Sequence, residues 1–170
     1  THGMLRRASD GRFALGPRLL ALGRAASSGW PLAEAAGAAL AELRDRTGES
    51  AQLYVRQGDQ RVCVASLESP HGLRTIVGAG VALPLDRGSG GRVLRGEVGD
   101  DGWVASVGER EAGVASVSAP VTDDTGAVVA AIGVSGPIER LSRDPGERFG
   151  AAVVAAADRV AVDAGLRTVS

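Results

Sequence analysis

The sequence of 170 residues contains no lysine and no asparagine, so all 19 of its basic residues are arginine. Both missing residues have AT-rich codons, which points to a GC-rich genome more than to a function. Cysteine occurs once, as Cys63, which excludes an internal disulfide and any zinc site built on several thiolates. Its apolar setting, RVCVASL, marks a buried strand position. Aromatic residues make up only 3% of the chain, so the core has to be built from Ala, Val and Leu. No apolar run reaches membrane-spanning length and no signal peptide is recognisable, so no membrane partner is expected and the cytoplasm is the expected compartment. The net charge of −1 gives no broad electrostatic footprint for nucleic acid.

Catalytic signatures are scarce as well. His2 falls in THGM, residues 1–4, which reads as a tag remnant, and the other imidazole, His71, sits in an SPHG turn. HExxH, GxSxG and CxxC are all absent. The carboxylates Glu109, Glu111, Asp123 and Asp124 fall at turns, where a solvated surface is their ordinary role. No enzyme activity, catalytic residue, metal or cofactor is expected.

What is present is 44% apolar residues, enough for one domain with a real core and an appended arm. In the arm, SDG is a turn between two short extended pieces, and Gly16-Pro17 leads into a helix carrying Leu19, Leu20 and Leu22. A second helix is expected from Pro31 to Arg46, burying Leu32, Ala36, Ala39, Leu40 and Leu43 and ending at Gly48. Gln52–Arg56 and Arg61–Leu67 read as a hairpin closed by QGDQ, and Leu73–Val77 as a further extended piece. GWVASVG contributes another strand. A last helix starts with Asp144 as N-cap, Pro145 at the first position and Glu147 at the third, followed by Phe149, Ala152, Val153, Ala156 and Val160 at helical spacing. This order argues for an α+β fold, an antiparallel sheet with helices packed against it.

The stretch GVASVSAPV, Gly113–Val121, alternates in an unusual way. Ser116 and Ser118 share a face with Val114, while Ala115, Val117 and Ala119 point to the other. Taking Asp124-Thr125 as a two-residue loop, Val114–Thr122 pairs with Ala127–Ser135 so that Ser116 faces Gly133, Val114 faces Ser135 and Ser118 faces Ala131. One face, with Val128, Ala130, Ile132 and Val134, is then aliphatic core; the other is a floor of Ser, Gly and Ala. Such a floor accepts a closely packed helix or lines a polar cavity, and the floor alone does not separate these readings. Nearby, PLDRGSGGRVL places Gly88, Ser89, Gly90 and Gly91 before a helical run beginning near Arg92. Backbone amides there suit a carboxylate or phosphate, although neither the P-loop nor the GxGxxG spacing is present.

DGRFALGPRLLALG, GVALPLDRGSGGRVL, GWVASVGEREAGVASVSAPV and AVVAAIGVSGPIERL, in that order, resemble the landmarks of the IclR family of bacterial transcription regulators across nearly the whole chain. RDRTGESAQLYVRQGDQRVCVAS with GEREAGVASVSAPV is most similar to the actinobacterial branch that controls leucine biosynthesis, the NdgR/LtbR type. The resemblance implies a GAF-like effector-binding domain over 29–170, preceded over 5–28 by the end of a winged-helix wing and a linker helix. It also implies a small-molecule effector, carboxylate or amino-acid-like, and self-association as dimer or tetramer. DNA would be bound through an N-terminal helix-turn-helix absent from this chain. The family's effector contacts fall on Gly88, Ser89, Gly90, Ser106, Ser116, Gly133 and Ser135. Ser116 stands where many relatives have Cys, and Ser106 where some have Asp. Between Gly91-Arg92 and Gly102-Trp103 the chain has only VLRGEVGDD, shorter than the partly helical stretch usual in the family.

Overall fold

The computed structural model describes residues 3–28 and 30–168, so the reading of Thr1 and His2 as tag lies outside the described residues. Leu5–Arg7 (β1) and Phe13–Leu15 (β2) form the arm's hairpin, and Arg18–Ser28 (α1) follows. The hairpin and α1 are joined at Gly16, whose amide donates to the Met4 carbonyl at 2.7 Å. Helix α2 (Pro31–Thr47) begins on Pro31, and Gly48 closes it in the left-handed region with φ 72, its amide donating to the Arg44 carbonyl. Leu32, Ala36, Ala39, Leu40 and Leu43 are all buried, so the expected face is the packed face.

Ser50–Gln57 (β3) and Gln60–Leu67 (β4) form a hairpin with Gln57 opposite Gln60. Leu73–Val77, expected to be extended, joins no strand. Its carbonyls go instead to side chains. Ser50 Oγ donates to the Thr75 carbonyl at 2.6 Å, and Arg140 Nη2 donates to that of Leu73 at 2.8 Å. The edge strand is Ala82–Pro84 (β5), paired with the start of β4. Helix α3 (Ser89–Leu94) starts three residues earlier than the Arg92 expected, with Gly90 and Gly91 inside it. Glycine is a poor helix former, but here packing overrides propensity: a Cβ at Gly91 would strike the Leu85 carbonyl and lie 2.5 Å from Arg61 Nη1.

Val104–Val107 (β6), Val114–Thr122 (β7) and Val128–Pro137 (β8) complete the sheet, and Ile138–Leu141 (α4) and Pro145–Asp163 (α5) close the chain. Asp144 caps α5 as expected, accepting from the Glu147 amide at 3.4 Å. The six strands run β5-β4-β3-β8-β7-β6, every pair antiparallel. Helices α2 and α5 cover one face, where Ala115, Val117, Ala119, Ala130, Ile132 and Val134 form the main core. Helix α3 lies on the other face, over a smaller cluster containing Tyr54, Cys63, Val93 and Leu94. The expected antiparallel sheet flanked by helices is therefore the observed fold. Among the described residues no helix is long and apolar enough to cross a membrane.

The β7–β8 register differs from the expected one by two residues. Ser116 faces Ser135, Ser118 faces Gly133 and Val114 faces Pro137. The loop is longer than Asp124-Thr125. Asp123 pairs with Ala127, and its carboxylate collects the Thr125 amide, the Thr125 hydroxyl and the Ala127 amide. Gly126 takes φ 82, the left-handed position of a three-residue loop. An irregularity between Val121 and Thr122 then adds the second residue of shift. A shift of two preserves the faces, so the serine floor survives the correction. Val128 does not stay with the aliphatic face: beyond the irregularity it packs with the cluster under α3.

Candidate functional site

The floor is built from four strands. In β7 and β8, Ser116 lies opposite Ser135 and Ser118 opposite Gly133; β6 adds Ser106 beside Ser116, and β3 adds Gln52 beside Gly133. The start of α3 forms a roof. Ser89 Oγ donates to Ser116 Oγ at 2.7 Å and shares a hydrogen bond with Ser118 Oγ at 2.8 Å. Both sequence readings therefore hold in part: a helix packs on the small residues, and beside it remains a small polar cleft, partly open to solvent.

Gly88, Ser89, Gly90, Ser106, Ser116 and Ser135 line this cleft. Gly133 does not. It lies behind Ser118, where a Cβ would collide with Ser118 Oγ and the Val117 carbonyl, so its role is to let the two strands close up under the serine.

Four polar lining residues escaped the sequence reading: Gln52, Tyr54, Arg61 and Arg110. Arg61 changes the character of the site. Only 4% exposed, it threads under the roof past Gly88 and Gly91, and Nη1 donates to the Pro84 and Arg87 carbonyls at 2.9 and 2.5 Å. Its guanidinium lies 5.3 Å from the centre of the Tyr54 ring. Its Nε has no partner, and no carboxylate among the described residues forms an ion pair with it. Burial pushes the Arg61 pKa below its ordinary value; Tyr54 and Asp86 act in the opposite direction, while Arg110 adds to the lowering. Tyr54 is raised, by burial first and then by Cys63.

Gln52 adds a second uncompensated donor. It is 2% exposed, its Oε1 accepts from Ser135 Oγ at 3.1 Å, and its Nε2 has no partner. An orphaned buried amide costs about 1–3 kcal/mol and a buried unpaired cation costs more. The site is thus rich in hydrogen-bond donors and short of acceptor charge, an arrangement that recognises an anion with more than one oxygen.

Glu109 is exposed in its turn, as expected, yet it also makes two contacts. One oxygen accepts from the Gly88 amide at 3.0 Å and the other from Arg92 Nη1 at 3.4 Å. The amide expected to await a ligand is therefore engaged by a carboxylate of the chain itself, which ties the 108–113 loop to the roof. Cys63 is buried as expected, and burial pushes its thiol up to about 11.

The model of the IclR C-terminal region of bacterial transcriptional regulators matches residues 24–96 and 95–162. The two segments meet in the turn after α3, at the start of the 95–103 connection to β6. A glycerol operon regulatory protein from Streptomyces griseus is 30% identical over 80% of this chain and 66% of its own length. The chain spans 65% and 66% of the curated relatives it matches. Among solved structures, an IclR-family regulator from Rhodococcus sp. is 31% identical with a TM-score of 0.73, over 97% of this chain and 77% of that one. An IclR homologue from Microbacterium hydrocarbonoxydans, solved with 4-hydroxybenzoate, has a TM-score of 0.76 at 22% identity, over 97% of this chain and 81% of that one. With the family model covering most of the chain, this chain belongs to the IclR family of bacterial transcriptional regulators, as their C-terminal region.

Proposed function

We propose that this chain is the effector-sensing and oligomerisation part of a cytoplasmic IclR-type regulator, and that its cleft binds a small carboxylate. One observation carries this reading: Arg61 and the Gln52 amide are buried donors without an acidic partner, and they converge with the serine hydroxyls on one cleft. A carboxylate supplies the missing negative charge and two acceptor oxygens. Binding would shift the balance between dimeric or tetrameric assemblies whose N-terminal helix-turn-helix domains hold DNA differently. The 4-hydroxybenzoate held by the Microbacterium homologue belongs to this chemical class. An amino-acid-related acid of leucine biosynthesis also meets the carboxylate requirement, and leucine or other amino-acid genes are the proposed targets. The roof serine packed on the floor favours a second reading, an assembly module with no effector.

A thermal-shift panel of branched-chain amino acids, their 2-oxo acids and aromatic monocarboxylates separates the two readings. The sensing reading predicts that at least one acid raises the melting temperature of the wild-type chain. It also predicts that the pair Ser116→Val and Ser135→Val abolishes this response in a folded protein. A panel in which no acid stabilises the chain favours the assembly module.

A further inference from the structure

We propose that the turn at 109–112 is a gate over the cleft, that Glu109 is its latch, and that Arg110 is the lining side chain it carries. This rests on the reading of the cleft as an effector site and adds the route by which a molecule enters it.

The turn joins β6 to β7, and both of its ends are fixed. The Gly108 amide donates to the Val114 carbonyl at 2.8 Å, and the Gly113 carbonyl accepts from the Ile138 amide at 2.9 Å. Both glycines stand in the left-handed region, with φ 72 and 83, where a side chain would be strained. The segment between them is therefore a short flap on two glycine hinges. Arg110 lines the cleft together with Gly88 and Ser89 of the roof. A Cβ on Gly88 would lie 3.8 Å from Arg110 Cβ, so roof and turn touch along one seam. The ion pair of Arg110, at 3.8 Å, is with Glu111 of the same turn and moves with it.

The two sides of this seam are held very differently. Ser89 Oγ makes two short hydrogen bonds to the floor, and Val93 and Leu94 anchor α3 in a buried apolar cluster. Lifting the roof would break all of these contacts. Among the described residues, the polar ties from 109–112 to the roof are the two made by Glu109, to the Gly88 amide at 3.0 Å and to Arg92 Nη1 at 3.4 Å. The side chains of Glu109 and Arg92 are each 36% exposed, so water and salt weaken that pair. The mouth therefore opens on the side of the turn. Opening withdraws Arg110 from the lining, and closing returns it.

Alkylation of an introduced thiol measures this opening without any effector, so its outcome is separate from that of the acid panel. Ser135→Cys puts the thiol in the cleft at a buried position. Cys63, buried elsewhere in the sheet, reports any wider unfolding in the same sample. With iodoacetamide, adding Glu109→Ala is expected to raise the rate at position 135 about tenfold while the Cys63 rate stays unchanged. Adding Ser89→Ala instead, which removes the hydroxyl bonds of the roof, is expected to change the rate at 135 by no more than about twofold. An unchanged rate at 135 in the Glu109→Ala protein, or a rise shared by Cys63, overturns the gate. So does a larger rise with Ser89→Ala, which would put the entrance at the roof. Each of these results leaves the effector reading standing.

Discussion

Arg61 is held by glycines as much as by hydrogen bonds. Gly91 opens the space its Nη1 occupies, and a Cβ at Gly88 would stand 3.3 Å from its Nη2. The glycine-rich stretch suggests phosphate-type amide binding when read alone, yet its main packing consequence is a path for a guanidinium. Gly133 works in the same way beneath Ser118. Gly133→Ala is expected to cost about 2–3 kcal/mol and to displace Ser118, because the collision involves a backbone carbonyl that cannot rotate away. Urea unfolding of the variant gives the loss directly. The serines were legible in the sequence because a hydroxyl on an otherwise aliphatic strand breaks a simple alternation. Gln52 carried the same signal, since Ser50, Gln52 and Tyr54 share a face opposite Ala51 and Leu53. Arg61 carried none: an arginine at the start of a strand ordinarily reaches solvent, and only the roof's tertiary path buries it.

Among the elements, the ends of α2 and the start of α5 followed from local chemistry, whereas the start of α3 did not. Pro31, Gly48 and the Asp144–Pro145–Glu147 start act within one turn of the backbone, so sequence alone places them. The β7–β8 register did not follow, because Asp123 recruits three donors and lengthens the loop by a choice that residue types alone leave open. The faces were nonetheless correct, since an even shift leaves the alternation intact. Leu73–Val77 has strand-like composition, but Ser50 and Arg140 take up two of its carbonyls. Between β6 and α5 the contact is specific. Trp103 lies across Gly146 and Gly150, and a Cβ at Gly146 would overlap the indole six-membered ring. Gly146→Ala is therefore expected to destabilise the protein by about 1–3 kcal/mol despite alanine's better helix propensity. A lower melting temperature with blue-shift loss in tryptophan emission would report it, and an unchanged or higher melting temperature would contradict the packing argument.

In the whole molecule, the sheet separates two duties. Its α2–α5 face buries a continuous aliphatic core, and its α3 face carries the small cluster and the cleft with the polar groups that stability alone would not select. The arm leaves Phe13, Leu15 and Leu20 at 74%, 72% and 70% exposure, apolar surface in keeping with the proposed self-association. The central claim is that the uncompensated charge of Arg61 serves an anionic effector, beyond the two carbonyl contacts its Nη1 makes under the roof. It is tested most directly by calorimetry of the wild type and Arg61→Met with phenylacetate, alongside the melting temperature of each free protein. The account predicts a loss of affinity of about 10–100-fold, the value of a charge-assisted hydrogen bond, in a variant that still unfolds cooperatively although it loses the two roof hydrogen bonds. Full affinity in Arg61→Met would contradict it.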